Sequence, residues 1–346
     1  MSDKVRHLVA IGGGNGCSQV LLGAQPYFGR RTAVIAVTDS GRSTGVARTI
    51  GQIPAPGDLR NCLATLADAP DSLLPTLLQH RFHTDDVPAL NGMAFGNLLI
   101  AALTQLRGSF IEAIDTVAEL VDTPVRVLPV SGANTHLCAE LADGRIVEQE
   151  LAVRAPKKPP ISRLFLQDRT ASAYPPVLDA LLQADIITIG PGSFFTSLLA
   201  TLLFDGMIST LRQTPATIVF VCNTTTQTGQ TDGFRVIDHV QRLIDMLGPG
   251  TLDIVLINRT PNLSSALLNQ YRAEGIHPLT PDDAEIAQVA ALGVRPIVAS
   301  LIEITEQKRP LWNKQDTLRH SPQLVGQALW KIAYNQDTPH DDTTRG

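Results

Sequence analysis

Residues 12–16 read Gly12-Gly13-Gly14-Asn15-Gly16, set between a short apolar run and a helix-like pattern. Without Cβ atoms the backbone of such a loop can approach a ligand closely. The helix that follows offers unpaired N–H donors and a partial positive charge. Phosphate or pyrophosphate suits that combination, and a tight β–α turn needing glycine only for packing is the plainer alternative. The match to G-x-G-x-x-G is imperfect, since the third glycine would fall on Cys17, and no G-K-[ST] follows, which excludes a P-loop. A second unit of the same kind, "IGPGSFFTSLLATLL" at 189–203, makes Gly190, Gly192 and Ser193 another candidate anion cradle.

Further polar groups gather after other apolar runs. Asp39 follows Gly14 by 25 residues, a distance at which an acid can hold a ribose hydroxyl in dinucleotide-binding folds. Arg42 and Ser43 beyond it can hold a 2′-phosphate, so an NADP-dependent oxidoreductase is a rival reading. In "PAPGDLRNCLATLAD" (54–68), Asp58 stands at a helix start where capping is its simplest role and a ligand or Mg²⁺ contact the sharper one; Asn61 falls in the first turn. Asn97 sits at another glycine-flanked helix start, where an amide can read a base or sugar edge. The stretch 222–240 is unusually polar after a buried strand, and Asn223, Thr226, Gln227, Gly229, Asp232 and Gly233 can shape a sugar or nucleoside pocket. Asp39, Asp58 and Asp232 are candidates to converge on Mg²⁺. No H-E-x-x-H pair or kinase motif set occurs, and no catalytic residue is assigned.

These loops need a frame that presents them together. Most of the apolar runs at 7–13, 32–41, 125–132, 184–192, 216–223, 252–258 and 295–301 are apolar throughout, as strands buried on both faces are. Helical patterns lie between them, at 57–68, 94–106, 109–122, 193–204 and 234–248 among others. The alternation predicts an α/β fold, a mainly parallel sheet covered by helices and built from right-handed βαβ units. Residues 136–153 alternate instead, around the turn signal Asp143-Gly144, and predict a β-hairpin with a type I′ turn; "RAPKKPP" (154–160) reads as a connector. One domain over 1–335 is expected, with 133–172 as an insertion and a disordered polar tail at 336–346.

Composition narrows the partners. Of 346 residues 44% are hydrophobic and 18% charged, with a net charge of −5, which suits a large core and gives no basic stripe for nucleic acid. The four cysteines are far apart, which argues against a metal cluster or disulfide framework and fits a reducing compartment. No apolar run approaches the roughly 20 residues of a membrane span. A cytoplasmic protein is expected.

In order along the chain stand "VAIGGGNG", "TDSGRSTG", "PGDLRNCL", "FGNLL", "IGPGSFFTSLLATLL", "VCNTTTQTGQTDGF" and "DTLRHS". Over roughly residues 5–335 this set resembles the gluconeogenesis factor (YvcK) family, whose superfamily includes CofD, the 2-phospho-L-lactate transferase. The resemblance implies a three-layer Rossmann-like, doubly wound fold and a cytoplasmic binding protein for a UDP-sugar such as UDP-N-acetylglucosamine, linked to cell shape and gluconeogenic growth, with no firmly attached reaction. CofD-type relatives imply the alternative of Mg²⁺-dependent phospholactyl transfer from a nucleotide diphosphate. Against the family pattern Asn15 replaces Thr, Ser40 replaces a second Asp, Arg42 replaces Gly, and Met93 replaces His. The lost carboxylate and His weaken the transferase reading. The segments "QYRAEG" and "DTLRHS" are linked by the resemblance with UDP-sugar binding, through Tyr271 stacking on uracil and Arg319 pairing with phosphate. A homodimer is expected by analogy with related folds.

Overall fold

All seven apolar runs become parallel strands of one sheet in the computed structural model, which describes residues 6–259, 263–302 and 318–334. The strands are β1 (His7–Gly12), β2 (Arg30–Ile35), β3 (Arg126–Pro129), β7 (Ile186–Ile189), β8 (Thr217–Val221), β9 (Ile254–Asn258) and β10 (Arg295–Ala299). Central strands such as β1, β7 and β9 are buried at every position, which is why their sequences do not alternate. Both edge strands contain a proline, Pro129 in β3 and Pro296 in β10, a residue that removes one ladder donor and is tolerated at an edge.

The spatial order is β10-β9-β8-β7-β1-β2-β3. The chain runs outward from β1 to β3, then returns to the opposite side of β1 and builds β7 to β10. That makes the β1/β7 junction the reversal point of the winding, where two neighbouring strands send their following segments apart and open a crevice at their carboxyl ends. The helices fall into two groups that pack among themselves. One comprises Gly14–Gly23, Gly57–Thr65, Phe95–Arg107, Phe110–Leu120 and Pro322–Ala333; the other comprises Pro175–Leu182, Met207–Gln213, Val236–Leu247 and Asp283–Ala291. The C-terminal helix presses on the first one so closely that a Cβ on Gly23 would stand 1.7 Å from the Pro322 carbonyl oxygen.

The insertion departs from expectation in three ways. Its strands β4 (Leu137–Leu141) and β5 (Ile146–Glu148) do pair antiparallel, but β6 (Ile161–Leu166), which follows the presumed connector, completes a three-stranded sheet of order β5-β4-β6. The turn is not type I′: only Gly144 has positive φ (+83°), and its N–H donates to Leu141 O at 2.9 Å. A type I turn with a left-handed glycine gives that pattern. Finally, residues after β5 do not continue as strand. Gln149 takes φ +71° and starts a short helical turn, Glu150–Val153. The 194–202 helix likewise opens as a π-helical turn over Phe194–Leu199, with Ser193 O accepting from both Ser197 and Leu198 N–H groups. The expected tail at 336–346 lies outside the described residues.

Candidate functional site

A cavity of about 810 Å³ opens at the β1/β7 junction. Asn15 and Gly16 reach it from the β1 loop, and Pro191, Gly192 and Ser193 from the β7 loop. Asn223 to Thr228 enter from the β8 loop, and Leu318, Arg319 and His320 from the segment before the last helix. Two arginines, Arg154 and Arg319, and no carboxylate side chain are among the lining residues. In a chain of net charge −5, this concentrates positive charge where glycine-flanked helix N-termini also point.

The two glycine loops touch each other. A Cβ on Gly16 would lie 1.8 Å from the Pro191 carbonyl oxygen, and one on Gly14 would lie 2.2 Å from the Asp58 carbonyl oxygen. These two glycines are therefore required by chain-on-chain packing. Gly13, at the N-cap of the first helix, faces Asp58 Oδ2 and Ser197 Oγ, and Gly12 faces Leu198 and Cys17. Of the first loop only Asn15 and Gly16 line the cavity. Asn15 is held from behind: Asn61 Nδ2 donates to its Oδ1, and Gln79 Nε2 donates to Asn61 Oδ1 at 2.7 Å.

The second loop is clamped by side-chain amides. Asn223 Nδ2 donates to Gly192 O at 2.9 Å, while Gln227 Oε1 accepts the Phe194 N–H at 2.8 Å and its Nε2 donates to Gly192 O at 3.2 Å. Gly190 takes φ +83° with Val221 O 3.0 Å from where a Cβ would stand, so the turn into this loop requires glycine. Asn223 and Gln227 thus line the cavity chiefly as supports of its wall. Thr226 also lines it, its N–H donating to His277 O at 2.8 Å and its Oγ accepting the His277 N–H at 2.9 Å. Thr224 Oγ donates to Leu318 O, which ties the β8 loop to the segment bearing Arg319.

Asp58 does not cap its own helix, whose N-cap is Pro56. Its carboxylate accepts the Gly14 N–H at the start of the neighbouring first helix. Burial, then the nearby Asp39 charge, push its carboxyl above the usual range. Asp39 accepts the Gly41 N–H at 3.0 Å and is hydrogen-bonded to Glu150 of the insertion. Glu150 is 4% exposed, and burial together with Asp39 pushes it up as well. Ser40 Oγ accepts the Leu151 N–H at 3.2 Å. Asp39 and Ser40 consequently lie beside the cavity wall and are not among its lining residues.

Several expected ligand contacts are placed elsewhere. Asn97 donates from Nδ2 to Ser43 Oγ at 3.0 Å, and both side chains are buried, so neither reads a base or a phosphate in this arrangement. Ser43 lies in the helix Arg42–Gly51, formed where a loop was expected; the Arg42 side chain lies outside the described residues. Asp232 turns back on its own loop, accepting the Gly229 N–H at 2.8 Å, and the three-carboxylate convergence of Asp39, Asp58 and Asp232 is not formed. Tyr271 is 2% exposed within the helix Ser265–Ala273 and outside the lining, so its ring is packed into the fold. His239 is buried and packs against Phe194 and Phe234.

Arg154, Gln19, Gln230 and His320 were not assigned to the site from the sequence and line the cavity. "RAPKKPP" carries no signal beyond its prolines, so Arg154 looks like linker until the insertion is docked. Burial pushes the His320 ring down to about 4, opposed by a hydrogen bond to the Cys222 backbone, so the ring is neutral near pH 7. Its Nε2 and Gln230 Oε1 have no hydrogen-bond partner among the described residues.

Among the described residues no helix is long and apolar enough to cross a membrane. The model of the 2-phospho-L-lactate transferase CofD family matches residues 8–302. A gluconeogenesis factor of Halalkalibacterium halodurans is 36% identical over 94% of this chain and 96% of its own length. One of Bacillus subtilis is 33% identical over 93% and 96% respectively. A crystal structure of a Bacillus halodurans protein superposes with a TM-score of 0.85 at 35% identity, covering 94% of this chain and 99% of that one. With the sheet order, the paired glycine loops and the polar β8 loop, these similarities establish that the chain belongs to the CofD family and stands among its gluconeogenesis factors.

Proposed function

We propose that the cavity binds a nucleotide diphosphate sugar of the UDP-N-acetylglucosamine type and that the protein acts as a regulatory binding protein. The observation that carries this reading is the lining itself: two helix-capping loops and two arginines converge, with no carboxylate side chain among the lining residues. A volume of about 810 Å³ also suits a ligand of that size. The Asn15, Gly16 and Ser193 backbones supply amide donors for the diphosphate, and Arg319, exposed on the rim, supplies charge. Arg319→Ala is expected to weaken UDP-N-acetylglucosamine binding about 10-fold or more, the usual size for a hydrogen bond to a charged group. Titration calorimetry reads this directly, and an unchanged affinity removes Arg319 from the site.

The proximity of Asp39 and Asp58 favours a second reading, Mg²⁺-dependent transfer from a nucleotide diphosphate. Mg²⁺ keeps several waters and accepts one or two carboxylates together with substrate phosphate, so this pair matches the ion in number of carboxylates while neither side chain lines the cavity. Asp39 and Asp58 would hold it, and the ion would neutralise developing phosphate charge. Release of a nucleoside monophosphate product from a nucleotide diphosphate substrate with Mg²⁺ is the result that would favour transfer over simple binding.

A further inference from the structure

The insertion does more than decorate the sheet. Its short helical turn Glu150–Val153 sits between two walls of the cavity. On the β2 side, Glu150 Oε2 approaches the Ser40 N–H at 3.5 Å, Ser40 Oγ accepts from Leu151, and Glu150 shares a hydrogen bond with Asp39. On the β8 side, a Cβ on Gly229 would stand 2.3 Å from the Arg154 carbonyl oxygen, and Lys158 Nζ donates to Gly229 O at 2.5 Å. The chain from 150 to 158 therefore bridges the crevice from one strand loop to another. Arg154 is the cation at the middle of that bridge. Its Nη1 donates to Glu150 Oε1 at 2.9 Å, one turn earlier, and the side chain remains 29% exposed along the cavity lining. A guanidinium has five donors, so this bond leaves most of the fork for another acceptor.

We infer that Arg154 is an anion-binding residue of the cavity, gripping the phosphate groups of the ligand, and that Glu150, hydrogen-bonded to Asp39, is the residue that positions it. The inference rests on the nucleotide diphosphate reading above. Glu150 is itself fixed from the β2 side, through Ser40 and Asp39, so the carboxylate that holds Arg154 is not free to swing away. Arg154 is thus oriented by one bond to Glu150, at 2.9 Å, and the loops Asn15–Gly16 and Gly192–Ser193 line the same cavity. An arginine fixed in this way presents a fork to phosphate with little ordering left to lose on binding.

Calorimetry with UDP and with uridine tests this on the whole chain. Arg154→Gln is expected to weaken UDP about 10- to 100-fold and uridine less than about 2-fold, and Arg154→Lys to recover part of the UDP loss. Glu150→Gln is expected to weaken UDP several-fold in the wild-type background and to add nothing in the Arg154→Gln background. Equal loss of UDP and uridine in Arg154→Gln, or no loss of either, overturns the anion-binding role. A Glu150→Gln effect of the same size in both backgrounds overturns the positioning role. A wild-type protein that binds neither probe overturns the nucleotide reading itself, a result distinct from wild-type binding that Arg154→Gln leaves intact.

Discussion

The loop after β1 and the loop after β7 carry the same sequence signature and are built in opposite ways. In the first, Gly14 and Gly16 are consumed by neighbouring backbone, and an Asp58 carboxylate occupies the helix N-terminus at the Gly14 N–H. In the second, the glycine that faces the crevice, Gly192, has only the flexible Leu198 side chain within 3.3 Å of a would-be Cβ, and neutral amides from Asn223 and Gln227 hold the loop. A glycine-rich turn can therefore serve chain packing or ligand approach, and neighbours from distant sequence decide which. The first loop's helix N-terminus is met by the protein's own acid; the second's is met by the neutral Gln227 amide.

This contrast is breakable by substitution. Gly14→Ala forces a methyl into the Asp58 backbone, which cannot swing aside, and is expected to cost more than about 3 kcal/mol. Gly192→Ala meets only Leu198 and is expected to stay within about 1 kcal/mol while lowering nucleotide affinity. Urea unfolding of both variants measures the difference, and equal costs would erase the distinction. A smaller effect is expected at the clamp of the second loop: Gln227→Ala removes two hydrogen bonds and strips the Phe194 N–H of its acceptor, at a cost of about 1–3 kcal/mol. Unchanged stability with unchanged UDP binding would show that this loop holds its shape alone. The smallest change is expected at the first loop's acid. Asp58→Asn keeps an acceptor for Gly14 and removes repulsion from Asp39, so stability near pH 7 should change by under about 1 kcal/mol. Because the folded carboxyl titrates above its unfolded value, the wild type's contribution is complete below the unfolded pKa and is lost as pH rises through the folded one. The variant should therefore lose less stability between pH 5 and pH 8 than the wild type does, which chemical unfolding at the two pH values checks.

Much of the frame was readable before the fold was known. The central strands are legible because burial on both faces leaves continuous apolar runs, as in "LVAI" and "IVLI". β6 was not legible, because "ISRLFL" is a half-exposed strand preceded by prolines and looks like loop. At the site, Asn15, Gly16, Gly192, Ser193, Asn223, Thr226, Gln227 and Arg319 were named and do line one cavity. Tyr271 and Asn97 were named and are packed away, because a polar or aromatic side chain near a glycine gives no sign of which way it faces.

The sequence alone determined which segments are buried strands and which loops follow them, since local apolar pattern and glycine placement are properties of short stretches. Only the tertiary structure decided that β1 and β7 are neighbours, since strand order depends on how the chain crosses over the sheet. It alone decided that Glu150, 110 residues from Ser40, docks against that strand-end loop. Such pairings are set by long-range packing and desolvation of charge, and neither leaves a mark in the residues adjacent along the chain.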